Sequence, residues 1–347
     1  MRAAVIYKHG DRDVIVVEEN YPEPTPDPGH VKIRVRACSL NYHDIFSRRG
    51  MPGITLPLPL IIGSDIAGEI EELGEGVNGW SPGDRVLVDP EPVAEMDFKF
   101  IGEQFDGGRA EYCCIHSAQL VRIPDSVSFE EAASLPLAYA TAYRMMITRG
   151  RIQKDEKVLI LGASGGVGTG CVLLSKMMGC EVVACASSDE KLKRLKEIGA
   201  DHQINYKDRN FREATWDIFG KPRYTGGGGV DVAVNATGGK TWMDSIRCLG
   251  KGGRLLTCGA TAGFEEEVDV RYIWTYEHDI RGSDGWERQD LVTLLEYVAK
   301  GSLKPVIDKI VGLEEIQEAE RLMEEREVFG KIVIRIQGNR FPPLESR

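Results

Sequence analysis

A glycine-rich stretch, Leu161-Gly162-Ala163-Ser164-Gly165-Gly166-Val167-Gly168, follows the apolar run Val158-Leu159-Ile160-Leu161 and opens a segment of helical period, Val167 to Met178. Glycines let a chain turn tightly after a strand. They also let backbone N–H groups approach a pyrophosphate at the positive end of the next helix. A glycine motif alone is weak, but between a strand and a helix it marks a dinucleotide site. Its expected contacts are Ser164, Gly165, Gly166, Val167 and Gly168.

The next strand ends Ala184-Cys185-Ala186-Ser187-Ser188. Sites that grip a ribose 2′-hydroxyl place Asp or Glu there, about 20 residues past the glycines. No carboxylate stands at this corner. Asp189 lies one step into the following helix, where the helix dipole alone favours an acid. Ser187 and Ser188 offer hydrogen bonds and Lys191 a cation, a set suited to a 2′-phosphate; the alternative is a plain N-cap beside a solvated lysine. The expected cofactor is NADPH.

The elements that must carry these residues fall into two patterns. The first third is β-rich: Val31 to Ala37 alternates apolar and charged residues, and Ile61 to Leu73 and Asp84 to Val88 give further strands between glycine turns. From Ser128 a helical period runs to Met146, opened by a Ser128/Glu131 capping box. Strands and helices then alternate: strands at Val158–Leu161, Glu181–Ala186, 202–206, 230–235, 253–258 and 278–282, helices at Val167–Met178 and Ser187–Ile198, the latter capped by Ser187 and Glu190. Gly226 to Gly229 reads as a turn before a strand. Two helices, Gln289 to Lys300 and Leu313 to Glu325, and a last strand, Lys331 to Ile336, close the chain. This order predicts an α/β fold: a Rossmann doubly wound parallel sheet plus a β-rich domain.

Composition narrows the partners. The 347 residues allow about two domains. The formal charge of −11 argues against nucleic acid or an anionic membrane as the main partner. No apolar run approaches the roughly 20 residues of a membrane helix, and the N-terminus lacks the apolar stretch of a signal peptide. The eight cysteines are scattered without a CxxC pair, so neither a zinc knuckle nor a redox dithiol is signalled. Cys113 and Cys114 read as packing on alternate faces of a strand, and a reducing cytoplasm is expected.

The order of segments resembles the medium-chain dehydrogenase/reductase superfamily up to Ile336. The resemblance rests on Asn41-Tyr42-His43-Asp44, Gly63-Ser64-Asp65-Ile66-Ala67-Gly68, Pro82-Gly83-Asp84-Arg85-Val86, Thr141-Ala142-Tyr143, Gly162 to Gly168, Cys258-Gly259-Ala260 and Gly330-Lys331-Ile332-Val333. It implies a GroES-like domain over 1–126, completed by 285–347, around a Rossmann domain over 127–284. Within the superfamily the chain is most similar to the NADPH:quinone oxidoreductase and enoyl-thioester reductase branches and to a group catalogued as alcohol dehydrogenases. The positions that hold catalytic zinc in zinc alcohol dehydrogenases are here Asn41, Ser64, Asp65 and Leu137, so no metal is expected. The structural-zinc cysteines are missing from 88–108 too. Cys38, His43 and Asp65 offer an unusual site at best, and Cys38 reads as core.

The resemblance also implies roles. Asn41, Tyr42 and His43 are the catalytic candidates beside the nicotinamide. Asn41 steadies cofactor or substrate oxygen. Tyr42 reads as a proton donor or an aromatic wall, His43 as a donor or a supporting histidine, and Asp44 as a helix cap. Thr141, Gly166 and Val167 meet pyrophosphate and ribose. Lys191 and Tyr206 flank the 2′-phosphate; Asn235, Thr237, Cys258 and Gly259 line the nicotinamide half; Lys331 approaches the cofactor. A homodimer through the strand near Asp279 to Ser283 is implied. The expected reaction is zinc-independent hydride transfer from NADPH to a quinone or activated C=C. Alcohol/aldehyde interconversion is the alternative, and a non-catalytic NADPH-binding protein the third reading. Loops 47–58 and 90–107, with Phe98, Phe100 and Phe105, are expected to shape the substrate site; the tail from Gly338 has no assigned role.

Overall fold

The computed structural model describes residues 1–50, 56–91 and 100–336. Most of the loops 47–58 and 90–107 is therefore described, while Phe98 and the tail from Gly338 lie outside the described residues. Along the chain come β1 (Ala3–Ile6), β2 (Ile15–Glu18), β3 (His30–Ser39), α1 (Tyr42–Arg49), β4 (Leu60–Ile61), β5 (Asp65–Leu73), β6 (Arg85–Val88), β7 (Tyr112–His116), β8 (Leu120–Arg122) and α2 (Phe129–Ala133). Next is a wound stretch in which π-helical turns, Leu135–Ala140 and Arg144–Arg149, flank the short α3 (Thr141–Tyr143). Then follow β9 (Lys157–Ile160), α4 (Gly166–Met177), β10 (Glu181–Ala186), α5 (Asp189–Glu197), β11 (His202–Asn205), α6 (Phe211–Phe219), β12 (Val230–Val234), α7 (Thr241–Cys248), β13 (Leu249–Thr257), α8 (Val270–Thr275) and β14 (Asp279–Gly282). Last are α9 (Arg288–Ala299), β15 (Ile307–Val311), α10 (Ile316–Glu324) and β16 (Lys331–Arg335).

The chain divides into two compact units, Met1–Leu137 with Leu291–Arg347, and Ala138–Asp290. The divisions fall at 137/138 and 290/291 rather than at 126/127 and 284/285. The helix opened by the Ser128/Glu131 box belongs to the first unit, because α2 packs on β3 and β5 and Glu130 binds Arg335 of β16 at 2.7 Å. The helical period over 129–146 is interrupted, which fits a proline at 136 with no N–H to donate.

In the first unit, β3 shows the alternation read from its residues. Val31, Ile33, Val35 and Ala37 are buried, while Lys32, Arg34 and Arg36 are partly exposed. Arg36 pairs with Glu69 across the sheet at 2.9 Å, and Lys32 with Glu72 at 2.8 Å. The sheet runs β15-β16-β3-β5-β6-β8, with β7 also on β3. The returning β16 pairs antiparallel with β3, setting Val333 opposite Ser39. Ile33, Ile66, Ile70, Ile332 and Ile334 share one core cluster. Each such side chain contributes about 1.5–3 kcal/mol when fully buried. β15 was not foreseen; Ile307–Val311 carries Asp308 and Lys309, and edge position, not burial, makes it a strand.

In the second unit, β11-β10-β9-β12-β13-β14 is a wholly parallel sheet. The order reverses between β9 and β12, so the ends of these two strands form a switch point, where such folds bind ligands. Gly226 to Gly229 all have positive φ and form the turn before β12. α6, α7 and α8 were not foreseen. Cys113 is buried and Cys114 partly so, alternating as two strand neighbours should.

A charged network lies inside the first unit. Arg48 and Arg109 are fully buried, with Glu320 fully buried between them. Arg48 Nε donates to Glu320 Oε2 (2.6 Å), Arg109 Nη1 to Glu320 Oε1 (2.5 Å) and Arg109 Nη2 to Asp44 Oδ2 (2.9 Å); Arg48 also binds Glu324. This ties α1 to α10. Glu320→Ala leaves two guanidinium groups buried without their shared carboxylate, and breaking a buried pair costs about 3–5 kcal/mol. Chemical denaturation of the variant is expected to show a loss of that size; an unchanged midpoint refutes it.

Candidate active site

The glycine turn joins β9 to α4 as its residues require. Gly162 has φ +62°, and a Cβ at Gly168 would lie 2.3 Å from the Gly162 carbonyl oxygen, so both positions need glycine. The N-cap of α4 is Gly165, with no side chain capping the helix, which leaves its first N–H groups facing outward. Gly162 and Gly165 are exposed, Ser164, Gly166 and Val167 partly so. The turn has room and donors for a pyrophosphate, and so fits a dinucleotide. A Cβ at Gly162 would sit 4.0 Å from Thr237 Oγ1, and one at Gly259 3.9 Å from the Ala236 carbonyl, so Gly162, Thr237 and Gly259 gather at the ends of β9, β12 and β13.

Asn235 does not line this crevice. It is fully buried, with Oδ1 accepting from the N–H groups of Thr237 (2.9 Å) and Gly238 (3.0 Å) and Nδ2 donating to Thr241 (3.0 Å) and Ser245 (2.9 Å). Its amide is spent on holding the Thr237 turn. Cys258 is partly exposed, and burial pushes its thiol up to about 11, so it stays a neutral small residue. Thr141 is half-buried in α3.

At the end of β10, Ser188, not Ser187, caps α5; its Oγ accepts from the Lys191 N–H at 3.4 Å. The Asp189 carboxylate accepts from Asn205 Nδ2 at 3.0 Å. The Tyr206 N–H donates to the Ala186 carbonyl at 3.2 Å, which brings its exposed ring to the same corner as Ser187 and the half-buried Lys191.

In the first unit, Asn41 is the N-cap of α1, and the helix begins at Tyr42. Asp44 therefore sits within the first turn of this helix and closes it backward: Oδ2 accepts the Asn41 N–H at 2.9 Å. It thus helps cap α1, as the capping-box partner of Asn41. Asn41 is buried, and its Oδ1 accepts from Lys331 Nζ at 2.6 Å. The same ammonium donates to the Leu40 carbonyl (2.8 Å) and Asp65 Oδ2 (3.2 Å). Lys331 is 3% exposed and all three of its protons are used, so it does not reach a cofactor. It lies under Asn41 instead. Asp65 is completed by Ser39 Oγ (2.8 Å) and the Leu137 N–H (2.9 Å).

A lysine only donates, so the face of Asn41 toward it must be the carbonyl oxygen. Nδ2 then points away, and among the described residues it is buried without a partner. Tyr42 packs edge-on against Phe46, ring centroids 5.3 Å apart. His43 Nε2 lies 2.5 Å from Glu103 Oε1. Burial opposes the charge on His43, but the Glu103 hydrogen bond and charge, with Asp44 and Asp65, outweigh it and hold its pKa above the ordinary imidazole value. Glu103 was not singled out beforehand; it lies 60 positions away in a segment readable only as loop, and no local pattern marks it.

Residues 27–125 match the family described as the alcohol dehydrogenase GroES-like domain, and residues 166–300 the one described as zinc-binding dehydrogenase. Crotonyl-CoA reductase of Streptomyces avermitilis is 31% identical, over 87% of this chain and 77% of its own. Quinone oxidoreductase of Rattus norvegicus is 29% identical, over 96% and 97%. A solved structure described as an NAD-dependent alcohol dehydrogenase is 33% identical with a TM-score of 0.89, over 97% of this chain and all of the other.

The donors here do not fit zinc. The matching positions carry an amide, a hydroxyl, a carboxylate already bound to an ammonium, and an aliphatic side chain, where zinc needs thiolate, imidazole or free carboxylate. Burial also pushes the Cys38 thiol far up, against thiolate formation. Among the described residues no group of three or more His, Cys, Asp and Glu is placed to hold a metal.

Lys331→Met keeps the length and removes the charge, leaving Asp65 buried with two neutral donors. A loss of about 3–5 kcal/mol in denaturation is expected, with partial recovery in the double variant Lys331→Met/Asp65→Asn. Equal losses in the single and double variants would count against the pair as the stabilising element.

Proposed function

The chain belongs to the medium-chain dehydrogenase/reductase superfamily, and on that premise we propose that it reduces an activated C=C or a quinone with NADPH and without a metal. One observation carries this reading: the ammonium of Lys331 fixes the Asn41 amide so that a buried Nδ2, unpartnered among the described residues, faces away from it. That N–H is a preset donor for a carbonyl oxygen that gains charge during reduction. A donor of this kind is worth about 10²–10³ in kcat. With its pyrophosphate at the glycine turn, the reduced dinucleotide would supply the hydride. Tyr42 and His43 follow Asn41 in the first turn of α1 and are the proposed proton donors.

Relatives named for crotonyl-CoA and quinone reduction support the substrate class. Ser187, Lys191 and Tyr206 support NADPH over NADH, as does the engagement of Asp189 by Asn205. Gly165, Gly166, Val167 and Gly168, with Ser164, Thr141, Thr237, Cys258 and Gly259, are the proposed cofactor contacts.

NADPH oxidation against quinones, enones, enoyl thioesters and aldehydes, with and without a chelator, tests this. Chelator-resistant turnover of a quinone, enone or enoyl thioester is expected, with higher kcat/KM for NADPH than for NADH and a loss of about 100-fold in Asn41→Ala. Chelator-sensitive aldehyde turnover with stoichiometric zinc would establish the alcohol dehydrogenase reading instead.

A homodimer is proposed through β14, the outer strand of the parallel sheet. Ile280 on this strand is 40% exposed, and Trp274 and Val270 of α8 are 69% and 62% exposed, a row of apolar groups that a second copy would cover. A cytoplasmic site is proposed because all eight cysteines are unpaired by disulfides, the state a reducing compartment maintains. The acidic charge leaves nucleic acid and membranes as poor partners. Light scattering is expected to give twice the chain mass of 38.4 kDa, moving toward one chain in Trp274→Glu; a monomer for the unaltered protein contradicts this.

A further inference from the structure

Behind His43 lies a carboxylate that the glycine turn, the Asn41 amide and the Lys331 pair do not use. Glu103 is 6% exposed, in a turn where its own N–H donates to the Phe100 carbonyl at 3.2 Å. Its Oε1 sits 2.5 Å from His43 Nε2 and accepts from Ser47 Oγ at 3.2 Å. Its Oε2 accepts from Gln104 Nε2 at 3.3 Å. Phe100 meets the His43 ring edge-on, centroids 5.4 Å apart, and closes one side of the pair. The His43 side chain remains 32% exposed, while that of Glu103 is 7% exposed. One ring nitrogen is therefore turned inward, in ion-pair contact with the Glu103 carboxylate. Nδ1 makes no hydrogen bond among the described residues and is left on the open side.

We infer that Glu103 is the positioning residue for His43, anchoring Nε2 so that Nδ1–H is presented outward as the proton donor of the reaction. This rests on the reductase reading above. For an enone, hydride adds to the β-carbon and the electron pair of the C=C moves toward oxygen, giving an enolate. The Nδ1–H bond of the imidazolium then breaks and a C–H bond forms at the α-carbon. The ring is left neutral with its remaining proton on Nε2, donated to Glu103, and takes a proton from solvent before the next cycle. The sum is enone, NADPH and one proton giving saturated ketone and NADP⁺.

The charges around the ring support this assignment. Burial disfavours the imidazolium. Glu103, Asp44 and Asp65 favour it, although Asp44 is matched by Arg109 and Asp65 by Lys331. That leaves Glu103 as the carboxylate whose removal matters most. In return, and against its own burial, Glu103 is held below the ordinary glutamate value by His43. Without Glu103 the burial effect prevails, and His43 loses its proton at lower pH.

The test reads the ring first and turnover second. Imidazole NMR of the cofactor-free protein, with His43 assigned by its loss in His43→Gln, gives the titration in wild type, Glu103→Gln and Glu103→Asp. The proton affinity of His43 is expected to fall at least tenfold in Glu103→Gln and to be partly restored in Glu103→Asp, with circular dichroism melts confirming that both variants fold. The alkaline limb of kcat for NADPH-dependent enone reduction is expected to move down by the same factor, with KM for NADPH unchanged. An unmoved titration overturns the anchor. A moved titration with an unmoved kcat limb overturns the donor role and assigns the proton to Tyr42. Absence of turnover with every substrate sinks the reductase reading and the donor role together, while the titration still decides the anchor.

Discussion

Most of the first unit is arranged around one buried ammonium. Lys331 carries a charge inside protein, and such a charge is tolerated only when each of its protons finds an acceptor. Leu40, Asn41 and Asp65 supply those acceptors. They come from the end of β3, the cap of α1 and the start of β5, so satisfying one cation fixes three segments against one another. Lys331 itself arrives on β16, after the chain has left to build the parallel sheet and come back. The antiparallel pairing of β16 with β3 sets its register. A one-residue slip would turn Lys331 to the other face and leave Asp65 without a counter-ion. The discontinuous domain is thus a requirement of the site, since residues 41 and 65 are incomplete without residue 331.

The same helix is held at its other turns by a second set of charges. Asp44 closes the first turn of α1 and takes Arg109; Arg48, one turn later, reaches Glu320 and Glu324 on α10. Held at both ends by buried pairs, α1 has little freedom to roll. Tyr42 and His43 lie in the first turn, between the Asn41 contact with Lys331 and the Asp44 pair. A loop could offer the same side chains, but not with the same fixed directions, and a donor misplaced by about 1 Å can cost 10²-fold in rate.

What was legible in the sequence was what local pattern controls. The glycine turn, the alternating strands and the order of β9 to β14 follow from periods of two and 3.6 residues and from the backbone freedom of glycine. A helix start at this corner was legible, but the expected cap, Ser187, gives way to Ser188, a choice that depends on one hydrogen bond. The errors share a different cause. Asn235 and Lys331 look like groups waiting for a ligand, because both are polar and both stand beside glycine motifs. The structure turns each inward, and the partners that consume them, Thr241 and Ser245 for one, Leu40, Asn41 and Asp65 for the other, become neighbours only through folding. Glu103 is the converse case: an acidic residue in a loop, indistinguishable in sequence from a solvated one, that the fold buries against His43.

The proposed replacement of a metal by an amide changes how the work is divided. A zinc ion can both polarise an oxygen and acidify what is bound to it. An amide N–H can only donate; it does not titrate, so it polarises equally at any pH and delivers no proton. A site built on Asn41 must therefore keep proton delivery on a separate group. That group needs some exposure to exchange with solvent, yet enough fixed charge behind it to stay protonated. Asn41, buried and tied to Lys331, meets the first demand; His43, half-open in front and backed by Glu103, meets the second. In the proposed reaction a single carbonyl compound meets both: the donor at its oxygen, and the acid at the carbon or oxygen that takes the proton.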